Sequence, residues 1–151
     1  MEHEFPTYPT ITPEVMLLFA DEWRADKWLA DKAWPDGKPI CPYCERPDAV
    51  NILCPVPLRC RCNRCYKYFS VRTRTIYAGS KVPLGKWLHA RMIVKHNLGL
   101  HHANPHLVKM VRGRLPVEHR TAVCMIRDLR MDLEHTAALR RSRLNIPTSP
   151  F

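Results

Sequence analysis

Two pairs of cysteines, each with two residues between its members, constrain the fold of this 151-residue chain more than any other feature. They are Cys41-Pro42-Tyr43-Cys44 and Cys62-Asn63-Arg64-Cys65, with seventeen residues between the pairs. A C-x2-C turn brings two thiolates within chelating distance of one ion, and the intervening stretch is long enough for a short hairpin. The spacing predicts one zinc ion bound by Cys41, Cys44, Cys62 and Cys65. Because four sulfur ligands leave no position for water or substrate, this zinc is expected to be structural.

Paired disulfides are the competing interpretation of these cysteines. The chain holds seven cysteines, an odd number, and residues 1–6 show neither the basic start nor the apolar run of a secretion signal. We therefore expect a reducing compartment, in which zinc is favoured over disulfides. The expected location is cytoplasmic.

Three further cysteines, Cys54, Cys60 and Cys124, lie outside the two pairs. Only Cys60 competes as a ligand, because it lies two residues before Cys62. We expect alternation along an extended strand to turn Cys60 to a different face, where it packs as a small thiol.

Charge is distributed unevenly along the chain, whose net charge is +10. Residues 1–57 hold five Lys and Arg against ten Asp and Glu, a net charge of −5. Residues 58–151 hold nineteen Lys and Arg against four Asp and Glu, a net charge of +15. This asymmetry favours a polyanion as partner, nucleic acid first. No apolar stretch approaches the roughly 20 residues of a membrane-spanning helix, so no membrane partner is expected.

The predicted fold class is α+β and mostly helical, with a small zinc ribbon of β-hairpins flanked by helices and a helix-turn-helix in the C-terminal half. Caps, prolines and apolar spacing predict helices at residues 12–33, with a break near 20–21, and at 83–98, 104–113 and 117–138. β-branched and aromatic residues predict short strands at 58–60 and 66–76, with Pro55 and Pro57 at an edge or in a loop. The predicted segments are a leader and helix (1–37), the ribbon (38–78), a helical domain (79–139) and a flexible basic tail (140–151).

The last predicted helix has one apolar and one basic face. Its apolar stripe consists of Ala122, Ile126, Leu129 and Leu133. At about 100° per residue, Arg120 and Arg127 fall almost opposite that stripe. Two helices joined by a turn that holds Gly113, the second with outward arginines, predict a helix-turn-helix.

Several motifs occur in order along the chain: Trp34-Pro35-Asp36-Gly37, the two cysteine pairs, Phe69-Ser70-Val71, Thr75-Ile76, Pro83-Leu84-Gly85-Lys86-Trp87, Leu115-Pro116-Val117, Arg120-Thr121-Ala122 and Met125-Ile126-Arg127. In combination they resemble the N-terminal region of DDE-type transposases that carry a zinc ribbon. The resemblance covers roughly residues 15–133. It implies that the cysteines hold zinc and that the ribbon and the helix-turn-helix bind the terminal DNA of a mobile element.

The chain departs from that family in two respects. The family usually has a glycine after each cysteine pair and another between the Val71 and Thr75 positions, where this chain has Glu45, Tyr66 and Arg74. The family's catalytic domain needs three dispersed metal-binding carboxylates, whereas the four acidic residues after position 57 all lie on the last predicted helix. We therefore expect no transposition chemistry and no enzymatic activity from this chain.

A cluster of histidines, His101, His102 and His106 with Asn104, suggests an HNH nuclease, because those enzymes also combine zinc knuckles with His and Asn. Their catalytic histidines lie between the two knuckles, and here that interval holds none. Loop histidines before a capped helix are the plain interpretation, and a second metal ion at this cluster is left open.

The sequence thus predicts a non-catalytic protein that binds double-stranded DNA, is associated with the nucleoid of a bacterial or phage-infected cell, and acts as a transcriptional regulator or a site-competing derivative of a mobile element. Residues predicted to face the groove are His119, Arg120, Thr121 and Arg127. Residues predicted to hold the DNA backbone are Arg72, Arg74, Lys81 and Lys86. The alternative is an adaptor that uses the ribbon and the acidic N-terminal helix to bind host machinery such as RNA polymerase. The oligomeric state is left open.

Overall fold

The structure, a computed structural model, describes residues 21–55 and 58–144, with side chains to Arg141. Within these residues the chain is α+β, with four helices and one three-stranded antiparallel sheet, which confirms the predicted fold class. The elements in chain order are α1 (Glu22–Ala33), β1 (Val50–Pro55), β2 (Leu58–Cys62), β3 (Tyr68–Ser70), α2 (Leu84–His96), α3 (Pro105–Arg114) and α4 (His119–Leu144). The predicted helix start near residue 12, the stretch at 145–151 and Pro57 lie outside the described residues.

Contacts divide the chain into two compact units, and the boundary falls within α2, between His89 and Ala90. The described part of the first unit holds α1, the sheet and the beginning of α2. The second holds the rest of α2 with α3 and α4.

Helix α1 begins where an acidic cap allows it. Asp21 has extended backbone angles, and its carboxylate accepts a hydrogen bond of 2.7 Å from the backbone N–H of Arg24. Glu22 in the first turn and Lys32 in the last turn complement the helix dipole. The non-helical Asp21 lies at the predicted break near residues 20–21.

The sheet has the order β1-β2-β3, and β2 is its central strand. Val50 pairs with Cys62 at one end of the β1–β2 ladder and Pro55 with Leu58 at the other. Between Ile52 and Cys54 the register shifts by one residue, so Leu53 forms a bulge. Strand β3 pairs with β2 over three residues, and Cys60 lies opposite Phe69.

The prediction of strand structure as far as residue 76 is wrong beyond Ser70. Residues 71–79 form turns, and hydroxyl groups hold several of them. The Thr73 hydroxyl oxygen accepts from the backbone N–H of Ser70, and the Thr75 hydroxyl donates to the carbonyl of Arg72. Such local side-chain bonds compete with a β-ladder, and they override the β-propensity of threonine here.

Helices α3 and α4 pack on each other through aliphatic side chains, and residues 115–118 connect them. Asn104 caps α3 as predicted, because its side chain accepts from the backbone N–H groups of His106 and Leu107. The buried residues of the pair include Leu107, Val108, Val111, Ala122, Met125, Ile126 and Leu129. Of the predicted stripe, only Leu133 is less than fully buried.

The predicted end of the last helix at residue 138 is wrong, and residues 140–144 of the predicted tail are helical. Helix α4 continues to Leu144. Alanine, leucine and arginine fill positions 137–141, and all three are strong helix formers. The first proline that could stop the helix is Pro147.

Candidate functional site

The four cysteines of the two pairs come together at one end of the sheet. Their sulfur atoms all lie within 4.8 Å of one another, close enough to hold a metal ion. The Sγ atoms of Cys41 and Cys65 are 3.6 Å apart, and those of Cys44 and Cys62 are 3.5 Å apart. A tetrahedral site with zinc–sulfur bonds of about 2.3 Å requires sulfur atoms about 3.8 Å apart, so the donor set fits a zinc-sized ion. All seven cysteines are free in the structure.

The two cysteine pairs are built alike, and we call residues 41–46 and 62–67 the first and second knuckles. The backbone N–H of Cys41 donates to the carbonyl of Arg46, and that of Cys62 donates to the carbonyl of Lys67. The residue after each pair has a left-handed conformation, with φ of 57° at Glu45 and 59° at Tyr66. This conformation lets the next N–H reach the preceding sulfur, so Arg46 donates to Cys44 and Lys67 donates to Cys65.

The pKa values of two thiols in the cluster, Cys62 and Cys44, are shifted in opposite directions. Backbone N–H groups of Cys65 and Arg64 lower the pKa of Cys62 to about 6, although desolvation opposes that shift. At Cys44 the N–H of Arg46 lowers the pKa, but desolvation and the neighbouring sulfurs raise it more, to about 11. Four thiols this close cannot all ionise unaided, and a bound divalent cation removes that conflict.

Cys60 lies beside the cluster and does not belong to it. The expectation that it turns to a different face from Cys62 is wrong: residues two apart on a strand share a face, and both cysteines are fully buried. Cys60 packs with Cys41, Cys62 and Phe69, and desolvation raises its pKa. Its predicted role as a small packed thiol is therefore consistent with its surroundings.

The exposed face of α4 carries the residues predicted to enter a DNA groove. His119, Arg120 and Arg127 are exposed, and Thr121 is half-buried. At about 100° per residue, Arg120 and Arg127 lie about 20° apart around the helix axis, opposite the buried stripe. Arg127 also pairs with its neighbour Asp128, with 2.9 Å between Nη2 and Oδ1. Exposed Lys109, Arg112 and Arg114 on α3 add to the positive charge of the helix pair.

No family model, curated protein or solved structure matches the chain. The resemblance to DDE-type transposases therefore stays a prediction from the motifs given above. Among the described helices, none combines the length and apolar character needed to cross a membrane.

Arg72, predicted to contact the DNA backbone, is half-buried and pairs with two carboxylates of α1. Its guanidinium lies 2.7 Å from the Glu22 carboxylate and 2.8 Å from that of buried Asp26. Glu22 also accepts a 3.1 Å hydrogen bond from the backbone N–H of Gly85 at the start of α2. These residues, named here the Arg72 cluster, join α1 to the turn after β3 and to α2.

The Arg72 cluster shifts the proton affinity of Glu22. Desolvation raises the pKa of Glu22. The N–H groups of Gly85 and Leu84 and the Arg72 guanidinium together lower it by more, so the pKa lies below its ordinary value. Glu22 thus favours its charged form within the folded unit. This connection, between residues about fifty positions apart in sequence, has no local signal in the chain.

The other three residues predicted to hold the DNA backbone lie in the same unit as Arg72. Arg74 is exposed, adopts a left-handed conformation with φ of 62°, and donates to the carbonyl of Pro42 in the first knuckle. Lys81 is exposed, and Lys86 is half-buried on the first turn of α2. The two predicted groups of DNA contacts therefore belong to different compact units.

The histidines before α3 do not form a metal cluster within the described residues, where the four cysteines are the group that can hold an ion. The rings of His101 and His102 are 4.1 Å apart. Desolvation and the positive charges of His101, Arg130 and Arg127 lower the pKa of His102. The environment between this loop and α4 is therefore electropositive.

The sequence predicts Tyr66, in the second knuckle, and Tyr68, in β3, only as strand residues. The structure leaves 66% of both Tyr66 and Tyr68 exposed and places the Arg61 guanidinium 5.6 Å from the centre of each ring. The available signal was the alternation of Tyr66 and Tyr68 around a lysine, directly before the apolar Phe69.

Proposed function

We propose that this chain is a zinc-stabilised protein that binds double-stranded DNA through helix α4. The observation that carries the proposal is the geometry of the α3–α4 pair. A four-residue connection joins the helices, an aliphatic stripe packs them together, and two arginines stand on the opposite face of the second helix. A helix-turn-helix presents its second helix to the major groove in this way.

Zinc is the metal that suits the cysteine cluster. Four thiolates at tetrahedral spacing are its usual structural ligand set, and no position remains for water. Zinc bound by Cys41, Cys44, Cys62 and Cys65 would crosslink the two knuckles and so hold the sheet. The ion would have no part in chemistry.

Groove contacts in this proposal come from the first two turns and a half of α4. Arg120 and Arg127 supply guanidinium groups that can bind guanine edges or phosphates, and His119 and Thr121 lie beside Arg120. The electropositive loop at His102 supports attraction to phosphate. No acidic residue occurs between Asp48 and Glu118, a further charge argument for a polyanionic partner.

Backbone contacts in this proposal exclude Arg72. Its guanidinium already binds Glu22 and Asp26, so we assign it to holding α1. Lys81 and Lys86 keep the proposed phosphate role, with Arg74 beside the first knuckle.

The biological use that we propose is transcriptional regulation, or competition for DNA sites by a derivative of a mobile element or phage. The adaptor alternative receives less support from α1. Its acidic residues are engaged within the helix or by Arg72: Asp21 pairs with Arg24, Asp31 with Lys27, and Glu22 and Asp26 with Arg72. Little unpaired acidic surface remains on this helix for a host protein.

The test is selection of duplexes from a random pool by zinc-loaded full-length protein at two salt concentrations, followed by affinity measurement on the enriched site. We expect a discrete motif that persists at the higher salt, because base contacts depend less on salt than phosphate contacts do. Replacement of both arginines, Arg120→Ala with Arg127→Ala, should weaken binding to that site about tenfold or more, since each bidentate base contact is worth roughly 1–3 kcal/mol.

The matched control is Arg140→Ala with Arg141→Ala, which removes the same charge from exposed positions at the far end of the same helix. This control should lose little affinity for the enriched site. Equal losses from both double variants, or no enrichment of any motif, would contradict recognition by the first turns of α4.

A further inference from the structure

The outer face of the ribbon sheet carries exposed aromatic rings next to arginine. In the ladder, Arg61 of β2 lies directly opposite Tyr68 of β3, and Arg59 lies opposite Ser70. These residues alternate with buried Cys60, Cys62 and Phe69, so they face away from the cysteine cluster. Tyr66 adds a second ring, because the Arg61 guanidinium lies 5.6 Å from the centres of both tyrosine rings. We call Arg59, Arg61, Tyr66 and Tyr68 the stacking face.

Arg61 lies against the two tyrosine rings and has no acidic partner in the part of the chain that the structure describes. Its Nε atom is buried and has no hydrogen-bond acceptor among the described residues. A cation over an aromatic ring is attracted to it, and the Arg61 guanidinium keeps its positive charge in that contact. An anionic ligand on this face would be attracted to that charge.

Tyr66 stands at a position where the backbone favours glycine. Its φ of 59° costs a residue with a side chain roughly 1–2 kcal/mol relative to right-handed geometry. The ring that this conformation carries is 66% exposed and contributes nothing to the buried core. The position therefore keeps a large aromatic side chain at an energetic cost, and the recorded ring contact of Tyr66 is with the Arg61 guanidinium.

We infer that the stacking face binds single-stranded DNA. Two solvent-exposed rings can stack with successive bases, and each base stacked on an aromatic side chain is worth a substantial affinity in proteins that bind single strands. Arg59 and Arg61 supply positive charge for the phosphates, and the absence of acidic residues between Asp48 and Glu118 removes repulsion. A duplex keeps its bases stacked on one another and cannot use this face in the same way.

The stacking face is independent of α4, and only the choice of DNA over RNA rests on the proposed function. Tyrosine rings and guanidinium groups bind bases and phosphates without reading the sugar. A DNA molecule with an unpaired strand beside a duplex would offer a ligand to each surface, the duplex to α4 and the single strand to the stacking face.

The experiment measures fluorescence anisotropy of labelled oligothymidine of about 15 nucleotides, within the range of single-strand site sizes, against the zinc-loaded full-length protein. The variant Tyr66→Gly with Tyr68→Thr removes both rings and leaves residues that suit the left-handed turn and the strand. We expect this variant to bind the oligonucleotide roughly tenfold or more weakly, because each lost base–aromatic stack weakens binding severalfold or more. Cobalt absorption at the cysteine cluster checks that the ribbon stays folded.

Two controls distinguish stacking from other causes. Tyr66→Phe with Tyr68→Phe keeps both rings and should keep the affinity for the oligonucleotide. If the hydroxyl groups made the contacts, this variant would bind more weakly. Trp23→Ala removes an exposed ring from α1 and should have no effect. Unchanged binding by the Tyr66→Gly/Tyr68→Thr variant, or a wild-type protein that does not bind oligothymidine, would overturn the inference.

Parallel titrations separate this inference from the proposed function. Loss of the two rings should leave duplex affinity unchanged, while Arg120→Ala with Arg127→Ala should leave oligothymidine affinity unchanged. A protein that binds oligothymidine but no duplex would overturn the α4 proposal alone. Binding of oligouridine tenfold more tightly than oligothymidine would overturn the assignment to DNA.

Discussion

Buried side chains in residues 41–70 of the ribbon are few and rich in sulfur, whereas those in the α3–α4 pair are numerous and aliphatic. Beneath the sheet the fully packed residues are Cys41, Cys60, Cys62 and Phe69. The helix pair instead buries leucine, isoleucine, valine and methionine from both helices. Four residues of which three carry thiols cannot supply the hydrophobic stabilisation of a folded domain.

Neighbouring segments of one chain can thus depend on different forces. We expect the ribbon to require a crosslink through its cysteines and the helix pair to require close packing. Each should therefore respond to a perturbation that leaves the other intact.

Removal of the metal should have the largest effect. Chelation of the ion, or Cys62→Ser, should unfold the sheet, because metal binding in small zinc sites supplies about 10–16 kcal/mol of folding free energy. Resonances of α3 and α4 in a heteronuclear NMR spectrum should persist while those of residues 41–70 collapse. Cys124→Ser, which changes a half-buried thiol on α4 outside the cluster, is the matched control and should keep the full metal content. Simultaneous loss of both sets of resonances would contradict the separation.

Leu129→Ala is the converse experiment. Leu129 is fully buried in α4, and removal of a buried leucine side chain typically costs about 2–5 kcal/mol through lost transfer energy and a cavity. Chemical denaturation should report this loss in the helix pair, with cobalt absorption at the cysteine cluster unchanged. Leu139→Ala, at an exposed position of the same helix, should change the free energy of unfolding little. A cobalt spectrum altered by Leu129→Ala would contradict the idea that the ribbon is independent of this packing.

The Arg72 cluster adds an ionic contribution to the first unit. Arg72→Ala leaves the buried Asp26 carboxylate without its cation, and we expect a loss of about 2 kcal/mol in the free energy of unfolding. Arg64→Ala, an exposed arginine of the second knuckle, is the control. Similar unfolding free energies for the two variants would show that the cluster is not stabilising.

The same cluster predicts a dependence on pH. Because the pKa of Glu22 is lowered in the folded protein, its contribution is fully present above the unfolded-state pKa and is lost as the pH falls through the lowered value. Glu22→Gln should therefore be less stable than the wild type at neutral pH, and the difference should vanish in acid. If the stability difference between the two proteins grew as the pH fell, the pKa of Glu22 would be raised in the folded protein and not lowered.

The smallest expected effect concerns the first knuckle. Glu45 has φ of 57°, so Glu45→Gly should relieve backbone strain and raise the stability of the metal-bound ribbon by up to about 1 kcal/mol. Glu45→Ala keeps the strain, and thermal unfolding should show no comparable gain for it. A gain from alanine equal to that from glycine would assign the effect to the lost carboxylate instead.

Local patterns carried most of what could be predicted. The cysteine spacing gave the cluster, Asn104-Pro105 gave the start of α3, and the apolar stripe gave the face on which α4 packs. Three residues that stand where the resembling family has glycine, Glu45, Tyr66 and Arg74, adopt the left-handed conformations that glycine would favour.

Two of the failures have clear physical origins. Hydroxyl groups of Ser70, Thr73 and Thr75 bond to nearby backbone and end β3 early, although their propensity favours a strand. The pairing of Arg72 with Glu22 and Asp26 joins residues that are remote in sequence, and no periodicity records it. The position of Arg72 in a basic stretch of sequence thus gave no indication that its guanidinium is bound to two carboxylates.

The bulge at Leu53 has a consequence for self-association. Strand β1 is an edge strand, and Ile52 and Leu53 are each more than half exposed. A regular edge with two apolar side chains would offer a second copy a ladder to extend, which is how aggregates begin. The extra residue breaks the spacing of the free N–H and carbonyl groups, and Pro55 removes one donor where the strand ends. One inserted leucine therefore helps to keep copies of the ribbon from joining edge to edge.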